Sequence, residues 1–418
     1  MLINKLNQLL SNRFIRNVGW LGIAELVNRI FRLATTVTLA RTFSPYDYGM
    51  VSIIYTIFDL ADVFTLKAGI GAKVVQADEQ DIGVISNTSY WLNWILSGSL
   101  FIIQCLAAYP IAQFYKNSQL FLPICAIGLI YLIYPFYIIQ STLIQRENRL
   151  KITALGNAVQ GILSNIILVV FAVLGMGVWA VVWSMVLGYL VWIVISHVNH
   201  PWRPSRSVKI ERWQEITSFG SKLLGIEVLG KLRMYLDYLI VGPFLGIEAL
   251  GLYFFAFNAG LGISQSVLNA FTSALYPHLC AVRGDKKQLK KQFFSSLKTM
   301  ALVVVPLVIL QSSLAPFYVP IVFGQKWVTA IPILVLICLS AIPLTLSRAT
   351  SQLLQAVDKS HIDLYWNAIF TVIFAASLLL AVRGGILWVA ATVLITQSVA
   401  IPLFSILVFR YVFAKNDL

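Results

Sequence analysis

Long apolar runs, broken by short polar stretches that hold most of the charge, recur along the whole chain. Residues 152–202 contain no Asp, Glu, Lys or Arg and include ILVVFAVLGMGVWAVVWSMVLGYLVWIVI. That is enough for two helices of ~20 residues, the length that crosses a bilayer. A membrane β-barrel would instead show weak ten-residue alternations. The pattern predicts an all-α polytopic membrane protein. It has about twelve spans, beginning near residues 18, 48, 84, 120, 152, 176, 217, 248, 296, 328, 361 and 384.

Composition sharpens this picture. Of 418 residues, 59% are hydrophobic and 11% charged, and mean hydropathy is +0.81, whereas a soluble protein carries about a quarter charged residues. Sorted by side of the membrane, twenty-two Lys and Arg fall on the side of the N-terminus. The other side holds Arg41, Lys116, Lys326 and Arg383. Such a bias predicts that both termini, with residues 198–215 and 281–298, face the cytoplasm, and that residues 41–47 and 317–327 face outward. The net charge of +14 then records membrane orientation and calls for no nucleic acid partner. The start, MLINKLNQLLSNRFIRN, reads as a basic amphipathic segment on the inner leaflet rather than a signal peptide. RGDKKQLKKQFFSSLK (283–298) is expected to lie against anionic membrane lipids. Cys105, Cys125, Cys280 and Cys338 lack metal-ligand spacing and read as packing residues.

The chain also repeats itself. At an offset of 202, Glu25 meets Glu227, Arg29 meets Lys231 and Gly49 meets Gly251. At 210, STLIQRENRLKITALGNAV (141–159) meets SQLLQAVDKSHIDLYWNAI (351–369), with Ser141/Ser351 and Asn157/Asn367 among the identities. At 209, FYKNSQLFLPI (114–124) resembles FGQKWVTAIPI (323–333). Three matches in order predict an ancient duplication. The expected domains are an N-lobe at 1–200, a cytoplasmic linker at 201–215 and a C-lobe at 216–418. Six spans per lobe imply a pseudo-twofold axis along the membrane normal and a central cavity. HPWRPSRSVKIERWQE (200–215), with its prolines and charges, is the expected hinge.

Candidate chemistry lies in charges that fall inside predicted spans, where each costs ~3 kcal/mol on insertion scales. Arg29, Arg32, Lys231, Arg233 and Arg348 are such cations. In AELVNRIFRL, Glu25, Arg29 and Arg32 share one helical face, and Glu227 with Lys231 repeats the pattern. One reading of Glu25 and Arg29 is a self-neutralising structural pair. The other is a basic stripe that binds an anion leaving water, most economically a phosphate or diphosphate. Asp59 and Asp62 either balance Arg29 or Arg32, or carry coupling H+ or Na+; Glu25 and Glu227 are candidates for the same duty. Asp237, four residues after Arg233, is expected to pair with it. Arg348, Gln352 and Gln355 form a polar stripe that either lines a cavity or snorkels to a helix end. The four histidines show no metal pairing, and no nucleophile motif, phosphate loop or cofactor signature is present.

Several stretches resemble a known family. These are LARTFSPYDYGMVSIIYTI, IGAKVVQADEQDIGVISNTSYWLNW, ALYPHLCAVRGDKKQL and FGQKWVTAIPIL, together with LDYLIVGPFLGIEALGLYFFAFN and its Asp237, Gly242, Gly246, Gly251 and Tyr253. In order and spacing they resemble the polysaccharide transporters (Wzx-type oligosaccharide flippases) of the multidrug/oligosaccharidyl-lipid/polysaccharide (MOP) superfamily. The resemblance implies twelve helices in two six-helix lobes. It also implies export of a polyprenyl-diphosphate-linked oligosaccharide across the bacterial inner membrane for O-antigen, capsule or exopolysaccharide synthesis, beside a polymerase and chain-length machinery. Arg29 and Arg32 match the first-helix cations that the wider superfamily uses toward lipid diphosphate; Lys231, Arg233 and Arg348 rest on the stripe alone. The rival readings are a drug or cation antiporter of the same superfamily and a membrane polysaccharide polymerase or ligase.

Overall fold

The computed structural model describes residues 31–205, 208 and 210–413. Glu25 and Arg29 lie outside them. Residues 31–42 are helical (α1). Pro45–Asp62 (α2), Lys67–Gln76 (α3), Ile82–Phe114 (α4), Phe121–Ile127 (α5), Leu129–Ile133 (α6) and Ile138–Arg146 (α7) follow. Then come Leu150–Val173 (α8), Val178–Asn199 (α9), Trp213–Leu245 (α10), Ile247–Cys280 (α11) and Lys286–Tyr318 (α12). Ile331–Leu339 (α13), Ala341–Ala356 (α14), Ser360–Ala381 (α15) and Ile386–Phe413 (α16) complete the chain. No strand occurs among the described residues.

Nine helical stretches among the described residues are long and apolar enough to cross a membrane. A tenth, α11, is bent by 48° between Ile247–Gly262 and Ser264–Cys280. Together they match ten of the twelve predicted starts. Of the other two, the first begins before residue 31. The second is α10, whose 33 residues include Glu215, Lys222, Glu227, Lys231, Arg233 and Asp237, too many charges for an apolar window. Large aliphatic side chains lie on outer faces, Leu106 at 72% exposure and Leu380 at 71%. Water would penalise that, and lipid does not. The protein is a multi-pass membrane protein.

The helices fall into two compact units, one of residues up to Phe43 and Ile53–Leu232, the other of Ser44–Ser52 and Arg233–Leu418. The division therefore falls within α10, not in the expected linker at 201–215. The first unit explains why. Ile216, on the first turn of α10, is buried in a cluster with Ile70, Val74, Ile85, Leu92, Ile139 and Leu143, and Gly220 abuts Gly69 backbone to backbone. Thr88 donates to the Glu211 carbonyl at 2.8 Å. Arg212 meets Asp81 at 2.6 Å, and Glu215 meets Lys73 at 3.3 Å. The expected hinge is anchored as well: Ser205 N–H donates to Asn87 at 3.0 Å, and Arg203 caps the carbonyls of His197, His200 and Trp202.

In the second unit, residues 44–52 return to pack on α11. Ser44 and Asp47 form a capping box that starts α2: Ser44 N–H donates to Asp47 Oδ2 at 2.9 Å, and Asp47 N–H to Ser44 Oγ at 3.1 Å. Pro45 occupies the first helical position, which suits its fixed φ. Tyr48 lies edge-on to Trp327 (4.8 Å between centroids), and Trp327 stacks on Phe255 at 4.0 Å. Gly49 and Gly251 make the crossing. A β-carbon on Gly49 would fall 2.7 Å from Ile247 Cγ2, and one on Gly251 would fall 2.7 Å from the Pro45 carbonyl carbon. The offset of 202 carries Pro45 to Ile247 and Gly49 to Gly251. The two close approaches are thus exchanged by the sequence repeat, as contacts across a twofold axis are. Gly246, at φ 92°, supplies the left-handed residue that turns α10 into α11. α12 begins at Lys286, ten residues before its predicted start, because Asp285 caps it by accepting from the N–H groups of Lys287 and Gln288.

Candidate functional site

Two groups of ionisable side chains sit among the helices, one in each unit. In the first unit, α2 carries Asp59 and Asp62, one helical turn apart. Lys231 of α10 donates to Asp59 Oδ2 at 3.0 Å, and Lys67 meets Asp62 Oδ2 at 2.5 Å. Tyr134 donates its hydroxyl proton to the other Asp62 oxygen at 2.9 Å. The Lys67 ammonium lies 4.8 Å above the Tyr134 ring, a cation–π contact. Tyr134 in turn packs edge-on to Tyr137 and Tyr189. The lysine side chains are 37% (Lys67) and 34% (Lys231) exposed, against 11% for Asp62. The cations are presented at an accessible surface, with Asp62 behind them.

Lys67 reaches back to Asp62 because Leu66 takes a left-handed conformation (φ 52°, ψ 21°) between α2 and α3. The sequence counted Lys67 among the basic ends of spans and missed it as a site residue. Five residues from Asp62, it has no helical spacing to betray it.

In the second unit, the Arg233 guanidinium donates to Asn367 Oδ1, and Asp363 and Arg348 both lie within electrostatic range of it. Ser351 donates to Asp363 at 2.8 Å, and Arg348 to Asn269 at 3.4 Å. Arg348, Gln352 and Gln355 are all half-buried, as the predicted polar stripe requires, while Ala349, Leu353 and Leu354 on the opposite face are buried. Ser351 and Asn367 were flagged as repeat identities, and here they hold the charged groups.

One expected pair does not form. Asp237 accepts from Tyr253 Oη at 2.8 Å and from the Tyr238 N–H at 3.0 Å. It is 5% exposed, buried against α11, while Arg233 turns to α15. Glu227 is half-buried and Arg32 exposed on α1; Arg29 and Glu25 fall outside the described residues. Among the described residues, no three His, Cys, Asp or Glu side chains gather as a metal site needs.

The helical scaffold that holds these charges has the fold of solved MOP superfamily transporters. A multidrug resistance MATE family transporter of that superfamily, in an inward-facing conformation, aligns with a TM-score of 0.78 at 16% identity, over 96% of this chain and 100% of its own. The lipid II flippase MurJ, inward closed, aligns at 0.72 and 15% identity, over 94% and 89%. Residues 38–332 match the family described as polysaccharide biosynthesis proteins, and the chain belongs to that family. Among its relatives is the teichuronic acid biosynthesis protein TuaB of Bacillus subtilis (strain 168). It is 26% identical over 356 residues, 84% of this chain and 73% of TuaB. The resemblance read from the sequence holds for the family, and the fold is one that solved transporters of the MOP superfamily share.

Proposed function

We propose that the protein is a flippase that moves a polyprenyl-diphosphate-linked oligosaccharide from the cytoplasmic to the outer leaflet of the inner membrane, with both termini in the cytoplasm. The observation that carries this reading is the set of accessible cations among the helices: Lys67 and Lys231 in one unit, Arg233 and Arg348 in the other. Arg32, exposed on α1, extends it, and the sequence adds Arg29 as a candidate. A diphosphate entering a low-dielectric site needs fixed positive partners, and Arg offers the planar fork that fits phosphate oxygens. The polyprenyl tail stays in lipid while the head is exposed alternately to the two sides. Translocation of this kind makes and breaks no covalent bond. A polymerase and chain-length machinery would take the product on the outer side.

The balanced charges of Asp59, Asp62, Lys67 and Lys231 favour a second reading, a cation or drug antiporter coupled to H+ or Na+. Deletion separates the two. A flippase mutant accumulates lipid-linked oligosaccharide on the inner leaflet and loses surface polysaccharide. An antiporter mutant keeps its polysaccharide and becomes drug-sensitive. Arg233→Ala or Arg348→Ala, at matched membrane abundance, should reproduce the flippase phenotype. Single cysteines at 281–298, in a cysteine-free background, should resist labelling from outside intact cells; strong labelling would reverse the orientation.

A further inference from the structure

Asp62 shares its Oδ2 with the Lys67 ammonium at 2.5 Å and its Oδ1 with the Tyr134 hydroxyl, and Asp59 takes Lys231 at 3.0 Å. Each lysine thus rests on a carboxylate of α2. A group that simply attracts anions would leave its ammoniums uncommitted, yet here each is held by a carboxylate on the same two turns of α2. From this arrangement we propose that Asp59 and Asp62 act as internal stand-ins for the cargo phosphates. They hold Lys231 and Lys67 in the empty protein, compete with the diphosphate for them, and reclaim them when the cargo leaves. The inference rests on the flippase reading above.

Carboxylate and phosphate oxygens are alternative acceptors for the same N–H donors, and a lysine is a flexible point charge that can exchange one for the other. The lysines are one-third exposed and the Asp62 carboxylate is nearly buried. At the Lys67 pair a ligand therefore meets the cation first and draws it from an acid that cannot follow; at the other pair Asp59, 29% exposed, stands beside Lys231 at the same surface. Nearby carboxylates also repel the arriving diphosphate, since like charges placed side by side are costly. Tight binding alone would stall a transporter, because a conducting site must hold its cargo weakly enough to let go. The tetrad meets that need, for release of the cargo restores two ion pairs.

A carboxylate that merely braced the fold would, when neutralised, weaken binding and stability together. A competitor would, when neutralised, strengthen binding while slowing turnover. The experiment uses the purified full-length protein in nanodiscs, with farnesyl diphosphate as the probe and farnesol as the uncharged control. Asp59→Asn and Asp62→Asn should each lower the dissociation constant about tenfold and reduce surface polysaccharide in cells. Lys67→Met and Lys231→Met should raise it about tenfold or more. Adding Lys231→Met to Asp59→Asn should abolish the gain, because Lys231 carries it. Should Asp62→Asn fail to fold without its tyrosine contact, the more exposed Asp59 still decides the matter. Unchanged or weaker binding by folded Asp59→Asn overturns the competition while leaving the flippase reading intact. A wild-type protein that binds farnesyl diphosphate no better than farnesol removes the phosphate site itself, and the inference with it.

Discussion

Replacing Gly251 by alanine adds one methyl group at the point where α2 and α11 touch. Its carbon would lie 2.7 Å from the Pro45 carbonyl carbon and 2.8 Å from the Gly49 nitrogen, whereas carbon atoms in good contact sit ~3.5–4.0 Å apart. Both obstacles are backbone, so no rotamer change relieves the overlap. The Pro45 carbonyl oxygen lies nearer still, so the helices must part by more than ~1 Å to reach ordinary contact, which also loosens Tyr48 from Trp327. Overpacking of this kind costs ~1–3 kcal/mol, and rigid walls on both sides place the cost at the upper end. Against it stands the ~1 kcal/mol that alanine gains over glycine inside a helix. The net loss of about 2 kcal/mol should lower the thermal midpoint of a chain this long by roughly 2–4 °C. Gly98→Ala, in α4 with nothing within 4 Å of its β-carbon, keeps only the gain and should be neutral or stabilising. Gly49→Ala should match Gly251→Ala, because the contact is reciprocal. The double variant should cost much less than the two singles added, since one separation accommodates both methyls. The assay is thermal unfolding in detergent, followed by loss of monodisperse protein. A Gly251→Ala midpoint equal to that of Gly98→Ala, or strict additivity of the pair, would refute the crossing.

Tyr253→Phe removes the hydroxyl that serves the buried Asp237 carboxylate, leaving an acceptor stranded; a loss of ~1–3 kcal/mol is expected, and an unchanged midpoint would place that contact outside the energetics. Ser44→Ala takes one side of the capping box and should cost ~1 kcal/mol, read in the same melts, with Ser44→Asn expected to restore most of it. Glu215, at the exposed start of α10, is held below the usual carboxylate range by hydrogen bonding from Arg212 and then Lys73. A depressed folded value means its contribution is present at neutral pH and fades as pH falls through that range. Melts from pH 7 to pH 3 should therefore lose slightly less stability in Glu215→Gln than in wild type, and a steeper loss in the variant would reverse the sign.

The spans were legible because their signal is length and composition, which tertiary contacts cannot override in a bilayer. Ten predicted starts match stretches able to span, and the expected cations at 231, 233 and 348 all proved to lie among helices. What was hidden depends on side chains choosing partners across the fold. Spacing of i and i+4 made Arg233 and Asp237 natural neighbours, yet each reached a different helix, Arg233 to Asn367 on α15 and Asp237 to Tyr253 on α11. Lys67 was concealed by the left-handed turn at Leu66, a conformation that nothing in a leucine announces. Residues 200–215 read as a hinge because of their prolines and charges. Those charges instead clamp them down, through Arg203, Arg212 and Glu215. The pairing of Gly49 with Gly251 was visible as a repeat; that the two would touch was not.

That glycine crossing sets a schedule for biosynthesis. Residues 44–52 emerge early from the ribosome, but the surface they pack on, α11, begins at Ile247. At about 5–20 residues per second, the intervening ~200 residues take roughly 10–40 s to synthesise. For that time the first turns of α2 lack their contact with α11, and Tyr48 has neither Trp327 nor Phe255 against it. The capping box, made wholly of Ser44 and Asp47, can already hold the helix start in shape while it waits. Docking then waits on α11 and Trp327, so a chain truncated before α11 would present the start of α2 without this surface for quality control to find.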